Sequence, residues 1–133
     1  MQPLTAEWIA KAEEDFAVGD RELARTESPA YNAVCFHAQQ AAEKFIKAVV
    51  QERGLLVPPV HNLPVLSKLV GEGRPFESMR GELAALSQLA VSSRYPGYFA
   101  NKRAATEAMD TARQVRIICR KLLDQVEGMQ GND

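Results

Sequence analysis

The chain has 133 residues, of which 46% are hydrophobic and 25% charged. These are the proportions of one ordinary globular domain, and they exclude a fibrous or disordered chain. Sixteen basic and 17 acidic residues give a net charge of −1, which excludes a global basic field for nucleic acid and leaves only local anion sites.

Nothing in the sequence predicts a membrane segment. No apolar run approaches the roughly 18 to 20 residues that span a bilayer, and the first ten residues lack the basic and then apolar pattern of a secretory signal. We therefore expect a cytoplasmic protein with no membrane contact.

Two long amphipathic helices are predicted in the N-terminal part of the chain. Thr5 is a candidate N-cap for the first, in which apolar residues recur at helical spacing to about residue 25. The second has Ser28 as a cap and Pro29 at its first position, and its apolar stripe continues to Gly54. This second helix carries the most regular pattern in the chain.

The next segments are shorter. Residues 55–61 contain two consecutive prolines, which exclude regular helix and predict an extended connector across one end of a bundle. Asn62 is a candidate cap for a short third helix that ends near Val70, before a stretch rich in glycine. A fourth helix is predicted from about Ser78 to Ser92, where a loop containing proline and glycine follows.

A fifth helix is predicted from the apolar stripe between Ala104 and Val126, followed by a flexible tail at 128–133. Because no alternating β pattern is present, we predict an all-α fold, with residues 1–127 forming one up-and-down antiparallel four-helix bundle with one additional short helix. Frequent alanines on the stripes of helices two and five predict that these two helices pack closely.

The cysteines and histidines do not suggest a metal site. Cys35 and Cys119 are far apart and lie among apolar residues, so we expect two reduced thiols that pack in the core. His37 and His61 belong to none of the usual zinc or di-iron spacings. We therefore predict no metal and no cofactor.

Six residues are candidates for a site that binds a nucleotide or RNA: His37, Gln40, Lys44, His61, Arg94 and Tyr95. The three on helix two are spaced at i, i+3 and i+7 and share one face, which suits a phosphate or the edge of a base. Arg94 supplies a planar donor fork for phosphate, and Tyr95 supplies a ring on which a base can stack.

Each candidate also has a structural interpretation. His37 fits a half-buried, hydrogen-bonded histidine, and His61 fits a residue that helps to cap helix three. The other polar residues of helix two also have structural interpretations. Hydrogen bonds between helices would explain Gln39, Gln40 and Glu43, and a face in contact with solvent would explain Lys44 and Lys47. The consecutive carboxylates at 13–15 face different directions and do not suggest a paired-carboxylate site.

Four segments together resemble the HEPN domain in content and order: Trp8, Ala12 and Asp15 in helix one, CFHAQQAAEK at 35–44, HNL at 61–63, and SRYPG at 93–97. The resemblance covers roughly residues 5–126. It implies an antiparallel helical bundle that commonly forms a homodimer around a shared cleft and is often paired with a minimal nucleotidyltransferase, as in toxin–antitoxin systems. Carried over to this chain, Arg94 and Lys44 would contact phosphate, and Tyr95 or His37 the base.

Many HEPN proteins are metal-independent ribonucleases in which an arginine is followed, after four to six residues, by a histidine. Here no histidine follows Arg94, and seven residues separate Arg53 from His61. The RYP sequence instead resembles the branch associated with nucleotide binding. We therefore expect a homodimeric nucleotide- or RNA-binding module that works with a minimal nucleotidyltransferase and is not itself an enzyme.

Two alternatives remain open at this point. One is a metal-independent endoribonuclease toxin with an atypical site, in which a histidine acts as general base and Arg94 stabilises the developing charge. The other is a purely structural helical adaptor. For the dimer interface, we expect an exposed apolar patch around Tyr98, Phe99 and helix two.

Overall fold

A computed structural model describes residues 1–71 and 73–131, with side chains as far as Gln125. The described residues form five α-helices and no strand: α1 (Pro3–Leu23), α2 (Tyr31–Glu52), α3 (Leu63–Leu69), α4 (Arg80–Ser92) and α5 (Lys102–Gly131). A short 3₁₀ turn, Glu77–Met79, precedes α4. The predicted all-α bundle, with four longer helices and one short helix, is confirmed.

Helix α2 is the centre of the bundle. None of its residues is exposed, and Val34, Phe45 and Val49 are completely buried. A helix without an exposed face lies in the interior of a protein, and its polar residues must find partners there. α1 and α5 cover its two main faces, and α3 and α4 cover a smaller part. The contact with α1 is the more extensive of the two, and the contact with α5 is the one for which the alanine stripes predict close packing.

The predicted start of the first helix is wrong. Thr5 is not an N-cap, since α1 begins at Pro3 and its cap residue is Gln2. Thr5 is instead buried within the helix, where its hydroxyl donates a hydrogen bond of 2.9 Å to Oε1 of Glu52, at the end of α2. The residues around Thr5 have the pattern of a helix cap, and this local pattern does not reveal that the threonine bonds to a distant carboxylate.

The predicted start of the second helix is also wrong. Ser28 lies before α2 with a φ of 45°, and the residue at the cap position is Ala30. The carboxylate of Glu22, near the end of α1, accepts the backbone N–H of Ala30 at 2.7 Å. The hydrogen bond expected from a local serine is therefore supplied by a residue of the preceding helix.

Two other helix signals are confirmed. After α2, Gly54 has a φ of 76°, and the N–H of Leu55 bonds to the carbonyl of Val50 at 3.2 Å, which is the pattern of a Schellman motif that glycine favours. The side chain of Asn62 accepts the N–H of Val65 at 3.0 Å and caps α3. These signals are local, so the sequence reveals them.

The last two helices differ slightly from the prediction. Residues 77–79 form the 3₁₀ turn, so α4 begins at Arg80. α5 extends to Gly131 and includes residues 128–131 of the segment predicted as a tail, whereas residues 132 and 133 and the side chain of Val126 lie outside the described part. None of the described helices combines the length and apolar character needed to span a bilayer.

Cys35 and Cys119 are both free and buried, which confirms their predicted role in packing. Burial raises the pKa of the Cys35 thiol to about 11, and it also raises the pKa of Cys119. Both side chains are therefore thiols at neutral pH and lack the thiolate that reactive cysteines require.

The close approach of α1 to the bundle gives the first testable prediction. A Cβ at Gly19 would lie 2.7 Å from Sδ of Met109 and 3.6 Å from Cβ of His37. We expect Gly19→Val to lower the free energy of unfolding by about 2 kcal/mol, the usual cost of overpacking a well-filled site. Urea denaturation measures this change.

Gly81 provides the control, because a Cβ there would meet no atom within 4 Å. Gly81→Val should change the free energy of unfolding by less than about 0.5 kcal/mol. Equal stability of the two variants would show that α1 does not approach α5 as closely as described.

Candidate functional site

A groove of about 340 Å³ lies between α2, the residues that lead into α3, and α4. Its polar lining comes from Gln39, Gln40, His61, Asn62, Ser87, Gln88 and Arg94. Phe36, Ala84 and Val91 are among its apolar lining residues. We call this the Arg94 groove. Its volume lies in the range of small-molecule sites, which combine an apolar surface with a few polar groups.

The groove contains three of the six predicted site residues: Gln40, His61 and Arg94. Tyr95 lies beside Arg94 but does not line the groove, and its ring is largely exposed. His37 and Lys44 share a face of α2 as predicted, but they contact α1 and not the groove. The six residues therefore form two groups.

Asp15 of α1 explains the position of the second group. Its Oδ1 lies 2.8 Å from Nδ1 of His37, and its Oδ2 accepts a hydrogen bond of 2.5 Å from Nζ of Lys44. The side chains of all three residues are mostly buried. Asp15 thus neutralises Lys44 and links α1 to α2. Sequence reasoning did not identify Asp15 as a partner, because nothing local indicates which helix faces these residues.

A buried ion pair supports the floor of the groove. Nζ of Lys47 lies 3.0 Å from Oε2 of Glu43, one turn earlier on α2, and the side chains are only 6% and 5% exposed. Nζ of Lys47 also lies 5.8 Å from the centroid of the Trp8 ring. Lys47 is therefore not on a solvated face, and that alternative is wrong for this residue. Burying two charges is expensive, and only good geometry with further hydrogen bonds offsets the cost.

Those further hydrogen bonds connect the ion pair to the groove. Nε2 of Gln39 donates to Oε1 of Glu43 at 3.0 Å and to the backbone carbonyl of His61 at 3.1 Å. Nε2 of Gln40 donates to Oε1 of Gln39 at 2.8 Å. The amide of Gln40 is thus held at the groove by residues that are buried beneath it.

Glu43 also orients the ring of His61. Nδ1 of His61 lies 3.0 and 3.1 Å from the two carboxylate oxygens of Glu43. An ionised carboxylate only accepts hydrogen bonds, so Nδ1 carries a proton, and Nε2 is the ring nitrogen that makes no contact with Glu43. The side chain of His61 is 76% exposed. Nε2 is therefore accessible to a ligand in the groove.

Arg94 is the cation of the groove, and no carboxylate of the described residues pairs with it. Its guanidinium carbon lies 5.9 Å from the centroid of the Phe36 ring and 5.9 Å from that of the Tyr95 ring. Aromatic faces attract a guanidinium group without neutralising its charge. The groove therefore presents an uncompensated planar cation beside two rings.

Residues 5–122 match the family model described as the HEPN domain. The chain belongs to the HEPN domain family. The match covers most of the sequence and includes both α2 and the Arg94 groove. It confirms the family predicted from the sequence motifs.

Two solved structures share the fold of this HEPN domain. TT1696 from Thermus thermophilus is 20% identical over 91% of this chain and 99% of its own, with a TM-score of 0.74. ST0689, described as an archaeal HEPN homologue, is 24% identical over 95% of this chain and 99% of its own, with a TM-score of 0.68. At these identities the likeness shows the fold alone. No curated protein matches the sequence significantly.

Four further polar residues of the groove were not predicted as site residues: Gln39, Asn62, Ser87 and Gln88. Ser87 accepts the backbone N–H of Leu63 at 2.9 Å and so fixes the start of α3 against α4. Gln88 follows Ser87 on the exposed side of α4. The sequence pattern that could have identified Gln88 is its spacing from Ala84 and Val91, because these three residues lie on one face of α4 that leads towards Arg94.

The predicted dimer patch is only partly exposed. Phe99 is 87% exposed, and Tyr98 and Tyr95 are exposed beside it. Helix α2 has only buried and half-buried residues, so it adds no exposed residue to these aromatic side chains. We call Tyr95, Tyr98 and Phe99 the aromatic loop patch.

The buried ion pair gives the second prediction. Glu43→Gln leaves the charge of Lys47 buried without its partner, and we expect the free energy of unfolding to fall by about 3 kcal/mol. The double variant Glu43→Gln with Lys47→Met should recover much of this loss, because no buried charge remains. Urea denaturation of both variants tests the effect.

Glu107→Gln is the control. Glu107 pairs with Arg103 at the same i, i+4 spacing, but both side chains are well exposed, so its loss should cost less than about 0.5 kcal/mol. If Glu43→Gln were as stable as Glu107→Gln, the buried pair would not have the role described for it.

Proposed function

We propose that this HEPN domain is a homodimeric module that binds a nucleotide or RNA in the Arg94 groove and works with a minimal nucleotidyltransferase partner. One observation carries the proposal: an arginine without a carboxylate partner lines a concave site that also contains amide side chains and an aromatic ring. The arginine can bind a phosphate, and the amide side chains and the aromatic ring can bind a base.

Each part of a nucleotide has a matching group in the groove or directly beside it. The guanidinium of Arg94 is the donor for phosphate, since its planar fork suits phosphate oxygens. Phe36 and Tyr95 supply rings near that cation for contact with a base. The amides of Gln40 and Gln88 and Nε2 of His61 supply donors and acceptors for base edges.

This assignment adds Phe36 and Gln88 to the sequence-based one and omits two of its residues. Lys44 and His37 are paired with Asp15, so a ligand would have to displace that carboxylate before either could contact it. We therefore assign them to the packing of α1 against α2. Arg94 then remains as the phosphate contact of the groove.

The homodimer is supported by the aromatic loop patch. Contiguous exposed aromatic residues favour protein contacts, and such residues are enriched at interfaces. The patch includes Tyr95, next to Arg94, so a second copy docked there would extend the groove. The nucleotidyltransferase partner is proposed on the family resemblance, as the arrangement in which HEPN domains often occur.

The ribonuclease alternative is favoured by one specific observation. His61 and Arg94 line the same groove, and Glu43 holds the His61 ring by Nδ1, an arrangement that leaves Nε2 able to act as a general base. The order of the two residues along the chain is the reverse of the usual HEPN motif.

Arg94→Ala gives the third prediction. In calorimetric titrations with AMP and short single-stranded RNA, we expect binding to weaken by about 1.5 to 3 kcal/mol, the net value of a hydrogen bond to a charged group. Arg103→Ala, which removes an exposed arginine of α5, should bind as the wild type does. Unchanged binding by Arg94→Ala would remove Arg94 from the site, and a loss of stability without a change in binding would favour the structural adaptor.

The same samples test the ribonuclease alternative when RNA is incubated with them in excess chelator and examined on a gel. Intact RNA supports the binding module. Cleavage that disappears in His61→Ala would establish the enzyme instead.

Phe99→Ser gives the fourth prediction, which concerns the homodimer. Loss of a large apolar contact should convert the dimer to monomer at micromolar concentration, as measured by light scattering after size-exclusion chromatography. Leu56→Ser is the control, because Leu56 is equally exposed but lies on the connector. A monomeric wild type, or dissociation by Leu56→Ser alone, would contradict the proposed interface.

A further inference from the structure

A second concave site lies at the other end of the α3–α4 pair. It has a volume of about 330 Å³ and lies between the end of α3 and the start of α4. Among the residues that the structure describes, its charged lining comes from Lys68, Arg74, Glu77 and Arg80, which are three cations and one carboxylate. We call this the basic cavity. It is separate from the Arg94 groove and shares no lining residue with it.

Among the described residues, no carboxylate compensates most of the positive charge in the basic cavity. Arg74 pairs with Glu77 at 3.4 Å, and both side chains are more than half exposed, so this pair is weak. Lys68 and Arg80 form no ion pair with any residue that the structure describes. In a chain with a net charge of −1, two unpaired cations in one concavity form a local site for an anion.

The basic cavity and the Arg94 groove follow one another along the same two helices. On α4, Arg80 lines the cavity, while Ala84, Gln88 and Val91 line the groove, and the spacing of four, four and three residues places all of them on one helical face. On α3, Pro64 lines the groove and Lys68, one turn later, lines the cavity. The two sites therefore form consecutive parts of one surface.

The distance from Arg80, in the basic cavity, to Arg94, at the far end of the groove, suits a short strand and exceeds one nucleotide. From Arg80 to Val91, α4 rises about 16 Å at roughly 1.5 Å per residue, and Arg94 lies beyond that point. A stacked strand advances about 3.4 Å per nucleotide, so this distance corresponds to roughly five nucleotides, and to fewer if the strand is extended. A mononucleotide held at Arg94 is shorter than this distance.

We propose that the basic cavity binds a backbone phosphate of a single-stranded RNA whose other end occupies the Arg94 groove. This inference rests on the proposed function and specifies its ligand as an oligonucleotide. Lys68 and Arg80 contact the phosphate, and the face of α4 between the two sites supports the intervening nucleotides. The contacts are electrostatic and independent of sequence, and base contacts belong to the groove.

The test measures the binding of AMP and of adenosine oligonucleotides of two to eight residues to the full chain by calorimetry. For the wild type, affinity should rise with length and level off once the strand spans both sites. In the double variant Lys68→Ala with Arg80→Ala, AMP should bind unchanged, while the octamer should bind roughly fivefold more weakly, as expected for two exposed charge contacts. The slope of log affinity against log salt should fall by about 0.7 for each phosphate that the variant no longer neutralises.

The matched control removes two other exposed cations, Arg21 and Lys121, which lie on α1 and α5 and line neither site. With both replaced by alanine, the protein should bind the octamer as the wild type does. Arg94→Ala should weaken AMP and octamer alike, which separates the two proposals.

The inference would be overturned, and the proposed function kept, if AMP bound through Arg94 but affinity did not depend on length. The same conclusion would follow if both double variants bound the octamer equally well. Failure of AMP and of every oligonucleotide to bind would overturn both.

Discussion

The buried carboxylate of Glu43 is the group on which the rest of the structure depends. It lies on a helix with no exposed residue, where an unpaired charge would be prohibitively costly. It is therefore surrounded by Lys47, Gln39 and His61, and each of these three contacts has a different structural effect. Lys47 compensates the charge, Gln39 holds the connector by its backbone, and His61 is oriented at the groove. The stability of the core and the shape of the site thus depend on the same atoms.

The distribution of charge follows a simple pattern. The two lysines that lie against the core, Lys44 and Lys47, are each neutralised by a carboxylate. In contrast, Arg94, Lys68 and Arg80 line concave surfaces and pair with no carboxylate of the described residues. A chain with almost no net charge therefore still presents local positive sites. This arrangement matches the expectation, drawn from composition, that any anion site must be local.

The sequence predicted those features that depend on neighbouring residues. The buried stripe of α2, the glycine after it and the cap at Asn62 are all local, and all were predicted. The starts of α1 and α2 were not, because Glu52 and Glu22 supply hydrogen bonds from positions remote in sequence. The candidate site shows the same difference between local features, which were predicted, and contacts with remote residues, which were not. Helical spacing correctly placed His37 and Lys44 on one face, but it could not reveal that Asp15 of another helix occupies that face.

The most direct test of the account follows nitrogen chemical shifts during a titration with AMP. The chain has two histidines, one in the Arg94 groove and one paired with Asp15, so His37 is an internal control for His61. We predict that Nε2 of His61 and the guanidinium nitrogens of Arg94 shift on binding, while the ring nitrogens of His37 do not. Shifts at His37 and Lys44, with Arg94 unchanged, would place the ligand at Asp15 and contradict the account.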